Sequence, residues 1–181
     1  MINQGMKNKS RQGFTLVELL IVIALLGALA VGLLAALDPF EQLKKGTDTS
    51  TRNTVSEIHG SIIRYYAIKN NMPWCPDGGT PGVTAGCLAD PANTDLATEP
   101  MVTSITNIIS AGELKSDFTA LAANNLVKIF VTGDQANSTV TVCYRPTAKS
   151  FIADPNTKFD QDGTEVGTSN CPAGGCYWCV K

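Results

Sequence analysis

Histidine occurs once in the 181 residues, at His59. Metal sites built on histidine pairs are therefore excluded. His59 has no Ser, Cys or Asp partner at motif spacing, so it reads as an ordinary helix residue rather than a catalytic base. Positive charge is not in excess either: 14 Lys and Arg stand against 16 Asp and Glu, a formal net charge of -2. Bulk charge thus gives no broad basic face for nucleic acid. There is no Gly-rich phosphate loop and no nucleophile elbow, so catalysis has no visible residues to carry it. Cysteine is missing from the first 74 residues, and charge is missing from Leu19 to Leu37.

That uncharged run is the first thing the sequence does have. Nineteen residues make roughly 28 Å of helix at about 1.5 Å each, enough to cross a bilayer's hydrocarbon core. Lys7, Lys9 and Arg11 precede it with no acid among them, which keeps this end in the cytoplasm and exports the chain beyond the run. An ordinary secretory signal would have a shorter apolar region and a small-residue cut site after it. One charge intrudes, Glu18, and a carboxylate in lipid costs a few kcal/mol unless it finds a partner. As a simple anchor, the chain would let Glu18 snorkel towards the headgroups.

At GFTLVELLIV the pattern resembles the prepilin signature of type IV pilins and type II secretion pseudopilins, carried here by Gly13, Phe14 and Glu18. The resemblance implies that residues 1–13 are a leader, and that a membrane-embedded aspartyl peptidase cuts between Gly13 and Phe14 and methylates the new Phe14 amine. It further implies a transmembrane and filament-core helix over 14–37. The Phe14 amine of one copy would pair with Glu18 of another, in a homo-oligomeric helical filament built on an assembly platform in the inner membrane. Leu, Ile, Val and Ala on all sides of the helix would face lipid first and neighbouring helices later, with Gly27 and Gly32 allowing close approach.

Beyond Leu37, apolar residues at Val55, Ile58, Ile62, Tyr65, Tyr66 and Ile68 recur at helical spacing and predict an amphipathic continuation over 38–70. Pro39 should kink or break it, and Gly46 with the TDTSTRN run should weaken it again. PFEQLKK followed by the RYYAIKNNMPW ending resembles the major-pseudopilin and Gram-positive-like pilin pattern. Residues 71–181 then form a globular head. Pro73 to Pro100 reads as a loop, Met101 to Ser110 as a short helix ended by Gly112, and Asp117 to Asn124 as a further turn. From Leu126 the period changes to two. VKIFV and STVTVCYR predict strands around a GDQANS hairpin, KSFIA a third strand, and CYWCV a short final one. The expected class is α+β: the pilin fold, a long N-terminal helix packed on a small antiparallel meander, rich in loops and stapled by disulfides.

All six cysteines lie in the exported part, which suits oxidation. Six allow 15 pairings. Cys75 with Cys87, closing an 11-residue loop, is the first expected; of the three ways to join the rest, Cys143 with Cys179 and Cys171 with Cys176 are favoured. A zinc site on Cys143, Cys171, Cys176 and Cys179 would lack two matched C-x2-C knuckles. FDQDGTE places Asp160, Asp162 and Glu165 beside Gly163, a turn that could hold a structural calcium, although Lys158 and Ser169 spoil the 12-residue helix-loop-helix pattern. Trp74, Tyr177 and Trp178 pack over disulfides as core, or else form an adhesive patch. No other cofactor is expected. The resemblance implies a pilus subunit, first single-pass in the cytoplasmic membrane and then in an extracellular filament. It equally admits a calcium-stabilised major pseudopilin of a type II secretion system in a periplasmic pseudopilus, or a minor tip pilin for adhesion or DNA uptake.

Overall fold

Helix α1 spans Leu16–Ala36 and helix α2 spans Pro39–Lys69 in a computed structural model that describes residues 13–36 and 38–181. Residues 1–12 of the expected 1–13 leader, and Leu37, lie outside the described residues. Pro39 takes the first helical position of α2, where its missing N–H costs nothing and its fixed φ suits the helix. Further along a helix the same residue would remove a ladder bond, so it marks a start. Gly46 and the Thr/Ser run do not interrupt α2. The hydroxyls of Thr47, Thr49, Thr51 and Thr54 each donate to the carbonyl four residues back, at 2.8 to 3.1 Å, which keeps them from competing with the helix. The chain divides into two compact units, 1–39 and 40–181.

In the second unit α2 is followed by strand β1 (Thr94–Asp95), helices α3 (Met101–Ser110) and α4 (Phe118–Leu121), strands β2 (Ile129–Asp134) and β3 (Thr139–Tyr144), helix α5 (Lys149–Ile152), and strands β4 (Thr157–Phe159) and β5 (Tyr177–Val180). The strands form one antiparallel sheet in the order β1-β2-β3-β5-β4. The alternation that marked β2 and β3 sets the two faces. Ile129 stands opposite Tyr144, Val131 opposite Val142 and Gly133 opposite Val140. These strands share a core with Val55, Ile58, Ile62 and Tyr65 of α2 and with Met101, Ile105 and Ile108 of α3. Each fully buried Ile or Val there contributes about 1.5 to 3 kcal/mol of transfer free energy.

Two expectations need correction. KSFIA is not a third strand: Lys149–Ile152 is the single turn α5, begun where the N–H groups of Phe151 and Ile152 turn back onto the Ala148 carbonyl, both at 3.0 Å. The place beside β3 is taken instead by β5, which comes from the end of the chain, so the sheet is not a plain meander. Within the stretch read as a loop, Thr94 and Asp95 pair with Val131 and Phe130 and extend the sheet at its edge. That loop is closed by the Cys75–Cys87 disulfide and anchored by Trp74, which is fully buried and donates its indole N–H to Asp90 at 2.7 Å. Gly133 lies against the Trp74 ring so closely that a methyl group there would meet it well inside 3 Å.

The remaining cysteines form Cys143–Cys179, which ties β3 to β5 directly across their register, and Cys171–Cys176 in the segment before β5. With every cysteine in a disulfide, no thiolate is left for zinc among the described residues. Trp74 and Tyr177 are buried. Trp178 is half-buried, edge-on to Tyr144 with the Arg52 guanidinium 4.4 Å above its ring. These aromatics are core rather than a patch.

Candidate processing and assembly site

Gly13 and Phe14 form an exposed, non-helical lead into α1, with Phe14 81% exposed and open space around the Gly13 Cα. A peptide bond in such a position can be reached by a peptidase without unfolding anything. Thr15 comes next, at the N-cap. Its hydroxyl accepts the Glu18 N–H at 3.3 Å, and its own N–H and hydroxyl both donate to Glu18 Oε2, at 3.0 and 2.9 Å. This is a reciprocal capping box: Thr and Glu three residues apart satisfy two of the backbone donors that a helix start leaves orphaned.

Glu18 therefore has a partner in its own chain, and the T-x-x-E spacing that provides it is legible in the sequence. Only one carboxylate oxygen is used. Among the described residues Oε1 accepts no hydrogen bond. The arrangement can do two things at once: hold the helix start in shape and present a second acceptor to a cation.

From Leu16 to Leu34 the helix is long and apolar enough to cross a membrane, and every side chain described over that length is exposed. At Gly27 and Gly32 no atom of the described residues beyond the helix's own backbone lies within 4 Å of where a Cβ would stand. Small residues at such points let another helix approach closely.

In the head, Asp160 and Asp162 come together around one turn and Glu165 does not join them. Both aspartates accept the Thr164 N–H at 2.8 Å, while Glu165 turns to Lys158 at 2.8 Å. Gly163 sits at the turn with φ +89°, where a side chain would strain the backbone and strike Thr141. Burial and the shared hydrogen bond with Asp162 raise the Asp160 carboxyl above its ordinary range. The same bond, helped by the Thr164 N–H, lowers Asp162. Two carboxylates are a weaker cation site than three, and no group of three acidic, Cys or His side chains converges among the described residues. His59 is half-buried on α2, and burial pushes its ring below the ordinary 6.5 against a hydrogen bond with the Val140 backbone.

The sequence reading missed Asp48. It is only 2% exposed, inside the stretch read as a helix weakener, and its carboxylate accepts the N–H groups of Thr147 and Ala148 at 2.8 and 2.7 Å and the Thr147 hydroxyl at 3.0 Å. It pins α2 to the segment after β3. A helical Asp aligned with the apolar face, one turn before Thr51 and Val55, was the available signal.

Residues 8–34 match the family described as the prokaryotic N-terminal methylation motif. No curated protein and no solved structure matches the chain. The match covers Gly13, Phe14, Glu18 and most of α1, and stops before the head. The chain thus carries the prepilin motif of type IV pilins and pseudopilins.

Proposed function

We propose that this chain is a structural, non-enzymatic subunit of a type IV pilus-like filament, cut between Gly13 and Phe14, methylated at Phe14 and polymerised through α1. The observation that carries the reading is an apolar helix with no cover of its own, headed by one carboxylate at the fifth position past the motif's cut site. Before assembly, lipid covers the helix; after it, α1 helices of other copies do. The driving terms are helix packing for cohesion and, for register, the positive Phe14 amine of an incoming copy against the free oxygen of Glu18. A buried carboxylate with its countercharge is far less costly than one without, so out-of-register docking is penalised.

Replacing Glu18 separates its two tasks. Glu18→Gln keeps an acceptor for Thr15 and so keeps the capping box, but it removes the charge. Cutting and head folding should be normal in this variant, and filaments in the sheared fraction should fall by at least about tenfold. Normal filament yield from Glu18→Gln would overturn the charge pairing. If Glu18→Ala fails where Glu18→Gln succeeds, the residue acts as a helix cap alone.

A second reading, the secretion pseudopilin, is favoured by the Asp160–Asp162 pair in the C-terminal segment. Calcium between those carboxylates would offset their repulsion. The two oxygens would need backbone carbonyls or water to complete a shell. Chelation that lowers the melting temperature of the full chain, with the loss abolished in Asp162→Asn, would support it; melting indifferent to calcium would leave the pilus subunit.

A further inference from the structure

The cations of the chain are unevenly placed. Without Lys7, Lys9 and Arg11, residues 14–181 hold 11 Lys and Arg against 16 Asp and Glu. Yet four of the eleven meet at one end of the head. Lys44, Lys128 and Arg145 line a single surface cavity of about 280 Å³, together with Phe40 and Leu43. Lys149 joins them, its backbone N–H donating at 3.0 Å to the Glu41 carboxylate that also takes the Lys44 ammonium.

The acids at this end are already engaged. Glu41 is held by the Lys44 ammonium and the Lys149 N–H, and Asp48 is buried on three donors. Asp38 has a partner as well. Asp154 pairs with Arg52 at 3.0 Å. By contrast the Lys128 and Lys149 ammonium groups enter no ion pair among the described residues, and neither does the Arg145 guanidinium, which lies 4.6 Å over the Tyr177 ring. Beside them two large apolar side chains stand open, Phe40 at 73% and Leu43 at 69% exposure.

Chain length restricts what this end can meet. Phe40 is six residues past Leu34, where the membrane-crossing stretch ends. Six residues reach about 20 Å at most, even fully extended, so Phe40 cannot leave the neighbourhood of the headgroups while α1 is in the bilayer. An aromatic and an aliphatic side chain ringed by cations is the composition that binds anionic lipid: the apolar groups enter the headgroup–acyl boundary and the cations meet phosphate.

We propose that this end of the head is a docking surface for anionic phospholipid, with Lys44, Lys128, Arg145 and Lys149 on lipid phosphates and Phe40 and Leu43 among the headgroups. The inference rests on α1 spanning the membrane. Its consequence is a salt-sensitive hold on the unassembled subunit, which extraction into a filament must break.

The test is acetylation footprinting of the full chain, one copy per nanodisc, in discs of phosphatidylcholine alone or mixed with phosphatidylglycerol. Labelling of Lys44, Lys128 and Lys149 should slow by about fivefold in the anionic discs, the effect expected for a cation at such a surface, and recover in high salt. Lys69, at the other end of α2 and about 37 Å from Lys44 along the helix, serves as the internal reference and should not change. In Lys128→Glu/Lys149→Glu, both exposed positions, the protection of Lys44 should disappear.

Equal labelling in both lipids, or slowing that includes Lys69, overturns the surface. Protection that appears only with two copies per disc, whatever the lipid, assigns the face to a second copy and overturns it too. A chain that does not enter the discs at all overturns the membrane span and this inference with it, whereas a chain that enters without protection overturns the lipid contact alone.

Discussion

Ile21 and Ile58 are the same residue type in helices of the same chain, yet Ile21 is 55% exposed and Ile58 is not exposed at all. The contrast runs through their whole surroundings. In α1 every described side chain is open, and no packing partner is supplied among the described residues of its own unit. In the head, aliphatic and aromatic residues from two helices and the central strands close on one another, two disulfides staple loops and a third joins β3 to β5, and Asp48 fastens α2 to the chain after β3. The hydrophobic effect acts on both regions with the same strength per unit area. It is satisfied within the chain in one and left to the surroundings in the other, so folding stability resides in the head, and the apolar surface of α1 remains for lipid or, under the proposed role, for other copies.

Matched deletions would break that division if it is wrong. Trp74→Ala should cost the head about 3 to 5 kcal/mol, since it empties a filled site and leaves Asp90 with the Gln135 N–H but without the indole. Leu26→Ala in α1 should leave head melting unchanged. Both can be read from thermal unfolding of the full chain in detergent, and a comparable loss from Leu26→Ala would mean that α1 does help to hold the head together. Removing the Cys143–Cys179 staple as a double alanine should cost about 4 kcal/mol, against about 2 for Cys171–Cys176, because the longer loop constrains the unfolded chain more. Denaturant midpoints of the two variants give the ranking. Asp48→Ala leaves two backbone N–H groups without their acceptor and should cost about 3 kcal/mol, again with no effect on processing.

The smallest effect concerns pH. His59 is pushed below 6.5 by burial, so the unfolded chain binds its proton first. Its contribution to stability is complete above 6.5 and fades as the pH falls through the lowered value. Asp154 acts lower, because the Asn156 N–H and then Arg52 hold it below its ordinary 3.8; its contribution is lost only as the pH falls beneath that. His59→Gln should flatten the fall in melting temperature between pH 7 and pH 5 and leave the more acidic limb in place. An unchanged slope would place the titration elsewhere.

Legibility in the sequence divided along the same line. In α1 the signal is dense, because an uncharged apolar run, a basic leader and a single acid each constrain the same stretch. In the head, β2, β3, β5 and α3 were readable from period and β-branched content. KSFIA was not, since four residues with two large apolar side chains fit a strand or a helical turn equally well; what precedes them decides, because Asp48 holds the Thr147 and Ala148 N–H groups and the Ala148 carbonyl starts the turn. Two-residue β1 has no period to read; it exists because Trp74 and the Cys75–Cys87 loop bring it to β2. Asp48 was hidden by its residue type, since an Asp among Thr and Ser looks like solvent-facing helix until the partner 99 residues away is in place.

What decides the proposed role is the chemical identity of the chain's first residue. Intact mass and N-terminal sequencing of the protein, taken in parallel from native membranes and from the sheared extracellular fraction, should both find a chain that begins at N-methylated Phe14, with the sheared material in long fibres. A chain that keeps Met1 in both fractions, or one cut beyond Leu37 and free of α1, would contradict assembly through this helix.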